Sequence, residues 1–254
     1  MIKAAFFDVD GTLLAPDHRV PESTWRALRA IRGKGVKTII STGRATNEMP
    51  DGLMRGFDSY VLINGQLCFD GDGVFRDVHI AADDARVIAG QVEAGLYDVI
   101  VQLRDTAFAN ALTPDVLRVA DIVGLEYEVG DVERMLYEPV YQLNVMLDAK
   151  DEDILLSKTS RVRTTRWTDS FCDVIPVDGG KHLGVRAALE RLGVEPGEAV
   201  AFGDGENDIS MFETVGTSVA MGNARDDVKR CATHVTTAVD DDGIWNACLK
   251  LGLV

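Results

Sequence analysis

The chain has 254 residues, 46% of them hydrophobic and 26% charged, and 26 basic against 41 acidic side chains leave a formal net charge of −15. That balance fits a soluble globular protein with chain enough for one large domain or two ordinary ones, and it argues against a nucleic-acid backbone or an anionic membrane surface as partner. A small anionic substrate is compatible with it only if a bound cation or a few local basic side chains reverse the sign at the site.

The four cysteines, Cys68, Cys172, Cys231 and Cys248, form no CxxC pair, which points to free thiols in a reducing cytoplasm rather than a disulfide framework. The first apolar stretch is broken by Asp8, so no signal peptide is expected. No apolar run approaches the roughly 20 residues a membrane span needs. The expected location is the cytoplasm, and the expected state a monomer or small homo-oligomer.

Residues 3–8 read as a short buried strand, and Trp25, Leu28 and Ile31 then give one face of a helix closed by Gly33 and Gly35. The β-branched run 36–40 predicts a second strand that leads into Ser41-Thr42-Gly43-Arg44, and 60–63 predicts a third that ends at Asn64-Gly65. A hairpin follows around Asp70-Gly71-Asp72-Gly73. After Ile80 the rhythm changes: a helix-like stretch, strands near 98–103 and 140–147, and a strand-like 161–167 suggest an α+β unit between about 81 and 179. A helix is predicted over 181–192, a strand over 199–202 ending at Gly203-Asp204-Gly205-Glu206-Asn207-Asp208, a strand over 217–221 and a helix over 224–231. Strands alternating with helices on both flanks imply an α/β fold with a parallel sheet covered on two faces.

Four features follow predicted strands or open a helix: Asp8-Val9-Asp10-Gly11-Thr12, Thr42-Gly43-Arg44, Gly180-Lys181, and Asp204 to Asp208. In an open parallel sheet, ligands bind beyond the carboxyl ends of the strands, so these features should converge. Each motif alone reads equally well as a turn or a cap. Together, carboxylates, a hydroxyl, an amide and a lysine suit a hard divalent cation plus a phosphate better than redox or thiol chemistry. Other motifs fail on spacing. An EF-hand from Asp8 would place Leu13 at the glycine position, a Walker A loop ending at Lys181 would start at Ile175, and no two of the four histidines are paired for zinc.

This set of motifs resembles the haloacid dehalogenase superfamily of phosphohydrolases, and its order and the long insertion before Lys181 resemble the Cof-like branch. The branch often has Lys-Gly where this chain has Lys181-His182. The resemblance implies a Rossmann-like three-layer core from residues 1–80 and 180–254, with 81–179 inserted as an α+β cap that selects substrate. It implies Mg²⁺-dependent hydrolysis of phosphate monoesters of small metabolites, sugar phosphates first, through an aspartyl-phosphate. Asp8 would be the nucleophile and Asp10 the general acid/base. Thr42, Gly43, Arg44, Lys181 and Asn207 would hold the phosphoryl group. The metal would take Asp8, the Asp10 backbone carbonyl and Asp204, with Asp208 either on the ion or just behind it. A phosphomutase or phosphotransferase sharing the aspartyl-phosphate, and a non-catalytic metabolite sensor, are the rival readings.

Within the inserted unit, Gln142 and Asn144 share one strand face and Arg161 and Arg163 alternate in the same way. These side chains could meet sugar hydroxyls or a second anion, but a solvated face is the favoured expectation.

Overall fold

Four consecutive apolar residues leave the first strand no polar side to show, and β1 (Ala4–Phe7) is fully buried. The computed structural model describes residues 1–50, 52–166 and 171–254. The chain continues through α1 (Glu22–Gly33), β2 (Lys37–Ser41), β3 (Ser59–Leu62), and the hairpin β4 (Leu67–Asp70) and β5 (Gly73–Asp77). Its middle section contains α2 (Ala82–Glu93), β6 (Val99–Gln102), β7 (Ala107–Ala109), α3 (Pro114–Val123), β8 (Glu128–Val129), β9 (Gln142–Val145), α4 (Asp153–Leu156), β10 (Val162–Thr165) and β11 (Cys172–Pro176). The last section runs α5 (Lys181–Leu192), β12 (Ala199–Gly203), α6 (Glu206–Phe212), β13 (Thr217–Ala220), α7 (Asp226–Cys231), β14 (His234–Val235) and α8 (Gly243–Lys250).

The residues separate into two compact units: 1–43, 50–77 and 180–254 in one, and 44–49 with 78–179 in the other. Among the described residues, the first unit holds an eight-stranded sheet in the order β14-β13-β12-β1-β2-β3-β4-β5, parallel from β14 to β3 and antiparallel in the last hairpin. Successive strands step one way from β1 to β3 and the other way from β12 to β14, so β1 stands where the winding reverses. Such a reversal opens a crevice at the carboxyl ends of the central strands. Phe6, Ile39 and Ala201 point to one face and pack with Val185, Leu189, Met211 and Val228 from α5, α6 and α7. Phe7 turns to the opposite face and stacks on Phe202, ring centroids 4.9 Å apart. The chain therefore has the α/β architecture expected of it, with a parallel sheet at the centre of the layers.

The second unit holds a six-stranded sheet, β10-β11-β9-β6-β7-β8, in which only β7 and β8 run parallel among the described pairs. Val99, Val101, Leu143, Val145 and Val174 meet Ile88, Ala89 and Val92 of α2 on one face. Ile100 and Ala109 meet Val116 and Val119 of α3 on the other. This corrects one expectation. Gln142 is buried and pairs in register with buried Gln102, while Asn144 donates to buried Asp173, so their face is not a solvated one. The Gln102 amide donates to the Leu103 and Thr106 carbonyls, so polar side chains there are met by the protein itself. The strand near Arg161 begins at Val162, and the last residue of the expected 161–167 stretch lies outside the described residues. No helix among the described residues is long and apolar enough to cross a membrane.

Candidate active site

Burial of β1 carries its chain end to the edge of the sheet, and there Asp8 follows, still hydrogen-bonded through its N–H to the Phe202 carbonyl at 3.0 Å. The chain then folds back sharply. The Val9 carbonyl accepts from the N–H groups of Leu13 and Leu14 at 2.9 and 2.8 Å, and the Gly11 N–H donates to Leu14 at 3.1 Å. Gly11 has φ +72°, and a Cβ placed on it would lie 2.1 Å from Asp204 Oδ2. Glycine is therefore required twice over, by its backbone conformation and by the approach of the Asp204 carboxylate. Asp10 sits exposed on this turn, beyond the end of β1.

α5 opens at Lys181, and the ammonium of this wholly buried side chain reaches Asp8 Oδ1 and Asp208 Oδ1, each at 2.6 Å. Asp208 Oδ2 accepts from the N–H groups of Asp204 and Gly205, both at 2.9 Å, which ties the loop after β12 to the first turn of α6. Asp204 in turn accepts from Thr12 Oγ1 at 3.1 Å and from Asn223 Nδ2 at 3.1 Å. Asp8, Asp204 and Asp208 each offer a carboxylate oxygen within 4.8 Å of the others.

Two buried acids and a half-buried third facing one ammonium are short of positive charge. Burial first, and then Asp208, hold the Asp8 carboxyl well above the usual range, against the pull of Lys181. Burial and the Asp208 charge push Asp204 up to about 7. Burial alone would lower Lys181, but Asp208 and Asp8 outweigh it and the ammonium is held more firmly than usual. With all three acids ionised, one ammonium leaves two negative charges unanswered, and a doubly charged cation would hold them in that state. An all-oxygen, carboxylate donor set matches a hard divalent ion and not a soft one. The residues present thus fit a divalent metal, with Asp8, Asp204 and Asp208 as its candidate ligands.

The phosphate-binding candidates divide. Thr42 follows β2, is buried, donates its N–H to Val61 at 2.9 Å and accepts the Asn64 N–H at 2.9 Å. Gly43 lies beside the Asn64 amide, which a Cβ would approach to 3.3 Å. Asn207 Nδ2 donates to Asn64 Oδ1 at 3.1 Å. Arg44 separates from this group: it falls in the second unit, and its Nη1 donates to the Glu48 carbonyl at 2.7 Å. Asp8, Lys181, Asp204 and Asp208 come together directly, and Thr42, Gly43 and Asn207 gather around Asn64.

Three residues of this arrangement escaped the sequence reading. Thr12 lay inside the first motif without a role of its own. Asn223 reaches both Gly11 O and Asp204, at 2.9 and 3.1 Å, from a loop that carries no recognisable signal. Asn64 read only as a residue that ends a strand.

A family model described as haloacid dehalogenase-like hydrolase matches residues 5–248. The chain is 32% identical to YkrA of Bacillus subtilis, whose name carries a provisional phosphatase assignment, over 99% of this chain and 98% of that one. Among solved structures it is similar to BT1666 from Bacteroides thetaiotaomicron, described among phosphatases of the haloalkanoate enzyme superfamily, with 34% identity, TM-score 0.92 and coverage of 100% and 96%. It is also similar to BT4131, described as a subclass IIB sugar phosphatase of that superfamily, with 30% identity, TM-score 0.88 and coverage of 99% and 100%.

Proposed function

The chain belongs to the haloacid dehalogenase-like hydrolases and is a phosphatase of that family, and we propose that it hydrolyses sugar phosphates and similar small phosphate monoesters with Mg²⁺ through a phosphorylated Asp8. The observation that carries this reading is the constellation of buried Asp8, Lys181 and Asp208 with half-buried Asp204 at the reversal point of the sheet. The description of BT4131 as a sugar phosphatase supports the substrate class.

Each residue has a chemical task in this reading. A carboxylate attacking a phosphate dianion meets like charge, about 4 kcal/mol per unit pair at 4 Å and an effective dielectric near 20. Lys181 holds Asp8 Oδ1 and lowers that barrier, while the second Asp8 oxygen attacks phosphorus. The P–O bond to the leaving alcohol breaks as the Asp8 O–P bond forms, and Asp10 donates the proton that the alcohol takes up. Asp10, now ionised, removes a proton from the water that attacks the acyl-phosphate, which releases inorganic phosphate and restores Asp8. Thr42, Gly43 and Asn207 hold the phosphoryl oxygens. Mg²⁺ would be held by Asp8, Asp204 and the Asp10 carbonyl, with Asp208 on the ion or just behind it, and would supply charge neutralisation.

The second unit, residues 78–179 with 44–49, is assigned the selection of the leaving group, because the core residues read only phosphate and metal. A phosphate-release screen over sugar phosphates and other phosphorylated metabolites tests the proposal, with Mg²⁺ and with chelator. Release from several sugar phosphates without an added acceptor supports it. Turnover only with an acceptor sugar would make the chain a phosphotransferase instead.

A further inference from the structure

Ile63, Asn64 and Gly65 follow β3 in immediate succession, all with positive φ: +50°, +51° and +84°. A β-branched residue avoids that region strongly, since its Cβ crowds the backbone, and a run of three such residues persists only where the surroundings impose it. The surroundings here are the start of α5. A Cβ on Gly65 would lie 2.5 Å from the Gly180 carbonyl, and one on Gly184 would lie 2.7 Å from Gly65 Cα. The Gly65 carbonyl also accepts from Arg76 Nε at 2.8 Å.

The turn places one residue, Asn64, against three separate segments of the site. Its N–H donates to the Thr42 carbonyl at 2.9 Å, its carbonyl accepts the N–H of Gly180 at 2.9 Å, and its Oδ1 accepts from Asn207 Nδ2 at 3.1 Å. Gly180 immediately precedes Lys181. A single buried side chain and its backbone thus link the loop after β2, the residue that opens α5 and the first turn of α6, which are otherwise far apart in sequence.

We propose that Asn64 is a positioning residue of the phosphatase, which orients the Asn207 amide and keeps Thr42, Lys181 and Asn207 in register for the phosphoryl group. This rests on the reading that Asn207 holds phosphoryl oxygens. The left-handed turn is the device that delivers the Asn64 side chain: an extended or right-handed Asn64 could not make the three contacts together.

The test is a double-variant cycle with p-nitrophenyl phosphate and Mg²⁺, using Asn64→Gly, Asn207→Ala and the pair. Glycine accepts positive φ freely, so Asn64→Gly removes the side chain without adding backbone strain. Asn64→Ser serves the same cycle if the glycine variant fails to fold. The expected result is a loss of roughly 10- to 100-fold in kcat/KM for Asn64→Gly, the scale of a misplaced binding group, and a pair no worse than Asn207→Ala alone. The Mg²⁺ concentration for half-maximal activity should be unchanged, because the bond that is removed runs to the Asn207 amide. Full activity of Asn64→Gly, or losses that multiply in the pair, would overturn the inference while leaving Asn207's own role standing. Full activity of Asn207→Ala would remove that role, and the inference with it.

Discussion

The Lys181 ammonium lies 2.6 Å from the Asp8 carboxylate across 173 residues of chain, and both groups are buried. The same nitrogen holds Asp208 at 2.6 Å. Buried ion pairs of this kind contribute little net stability, since the desolvation of each charge offsets most of the attraction. Here the cost is larger, because Asp204 adds a third acid and only one cation answers them. A chain keeps such an arrangement for chemistry.

Lys181→Met should therefore damage the protein twice. Without the ammonium, Asp8 and Asp208 lose their shared partner, and breaking a buried pair costs about 3–5 kcal/mol. Thermal unfolding in chelator should show a midpoint lower by 6 °C or more, on the scale of roughly 2–4 °C per kcal/mol for a chain of this size. Phosphate release should fall by at least about a hundredfold, the usual loss for one charge-stabilising group. An unchanged midpoint would mean that the two acids are not held charged by Lys181.

Metal binding should stabilise the fold. A ligand present at about 100 times its Kd adds about 2.7 kcal/mol. Saturating Mg²⁺ should then raise the unfolding midpoint by several degrees over protein in chelator, and Asp204→Ala should abolish most of that rise. Equal midpoints with and without Mg²⁺ in the unaltered protein would count against a metal at Asp8, Asp204 and Asp208.

Asp173 gives a pH signature in the second unit. Burial pushes its carboxyl from 3.8 up to about 7, with Glu48 adding to the rise and the Asn144 hydrogen bond opposing it. Between those two values the folded state keeps a proton that the unfolded chain has lost. Stability from this residue is therefore full below about pH 4 and declines as pH rises to 7. Asp173→Asn, neutral at every pH, should match the original protein in unfolding midpoint near pH 3.5 and exceed it by several degrees at pH 8. A difference that is the same at both ends of the range would contradict the assignment.

Much of this architecture was legible because the sequence signals it locally. β1 is four apolar residues, α5 starts at Lys181 and ends at Leu192 as its periodicity requires, and acids at two strand ends point to one sheet edge. Other elements left no such trace. α3 buries Val116 and Val119 yet exposes Leu117 and Ile122, so its apolar residues form no clean stripe. β11 is buried along its whole length, which erases the alternation that marks a strand. Ile63 is the strongest case: its side chain argues against positive φ, yet it enters a left-handed turn whose Gly65 packs tightly on Gly180 and Gly184. Arg44 and Asp10 show the limit of reasoning from neighbours in sequence. Two residues from Thr42, Arg44 belongs to the other unit, and two residues from Asp8, Asp10 lies exposed on the turn that follows β1.

The central claim is that Asp8 attacks phosphorus, and one variant tests it most directly. Asp8→Asn keeps the shape and the turn but removes the nucleophilic charge, so the protein should fold with its sheet intact. Phosphate release from the best sugar phosphate of the screen, measured with saturating Mg²⁺, should drop to the level of the chelator control. Turnover by Asp8→Asn within a few-fold of the original enzyme would contradict the account.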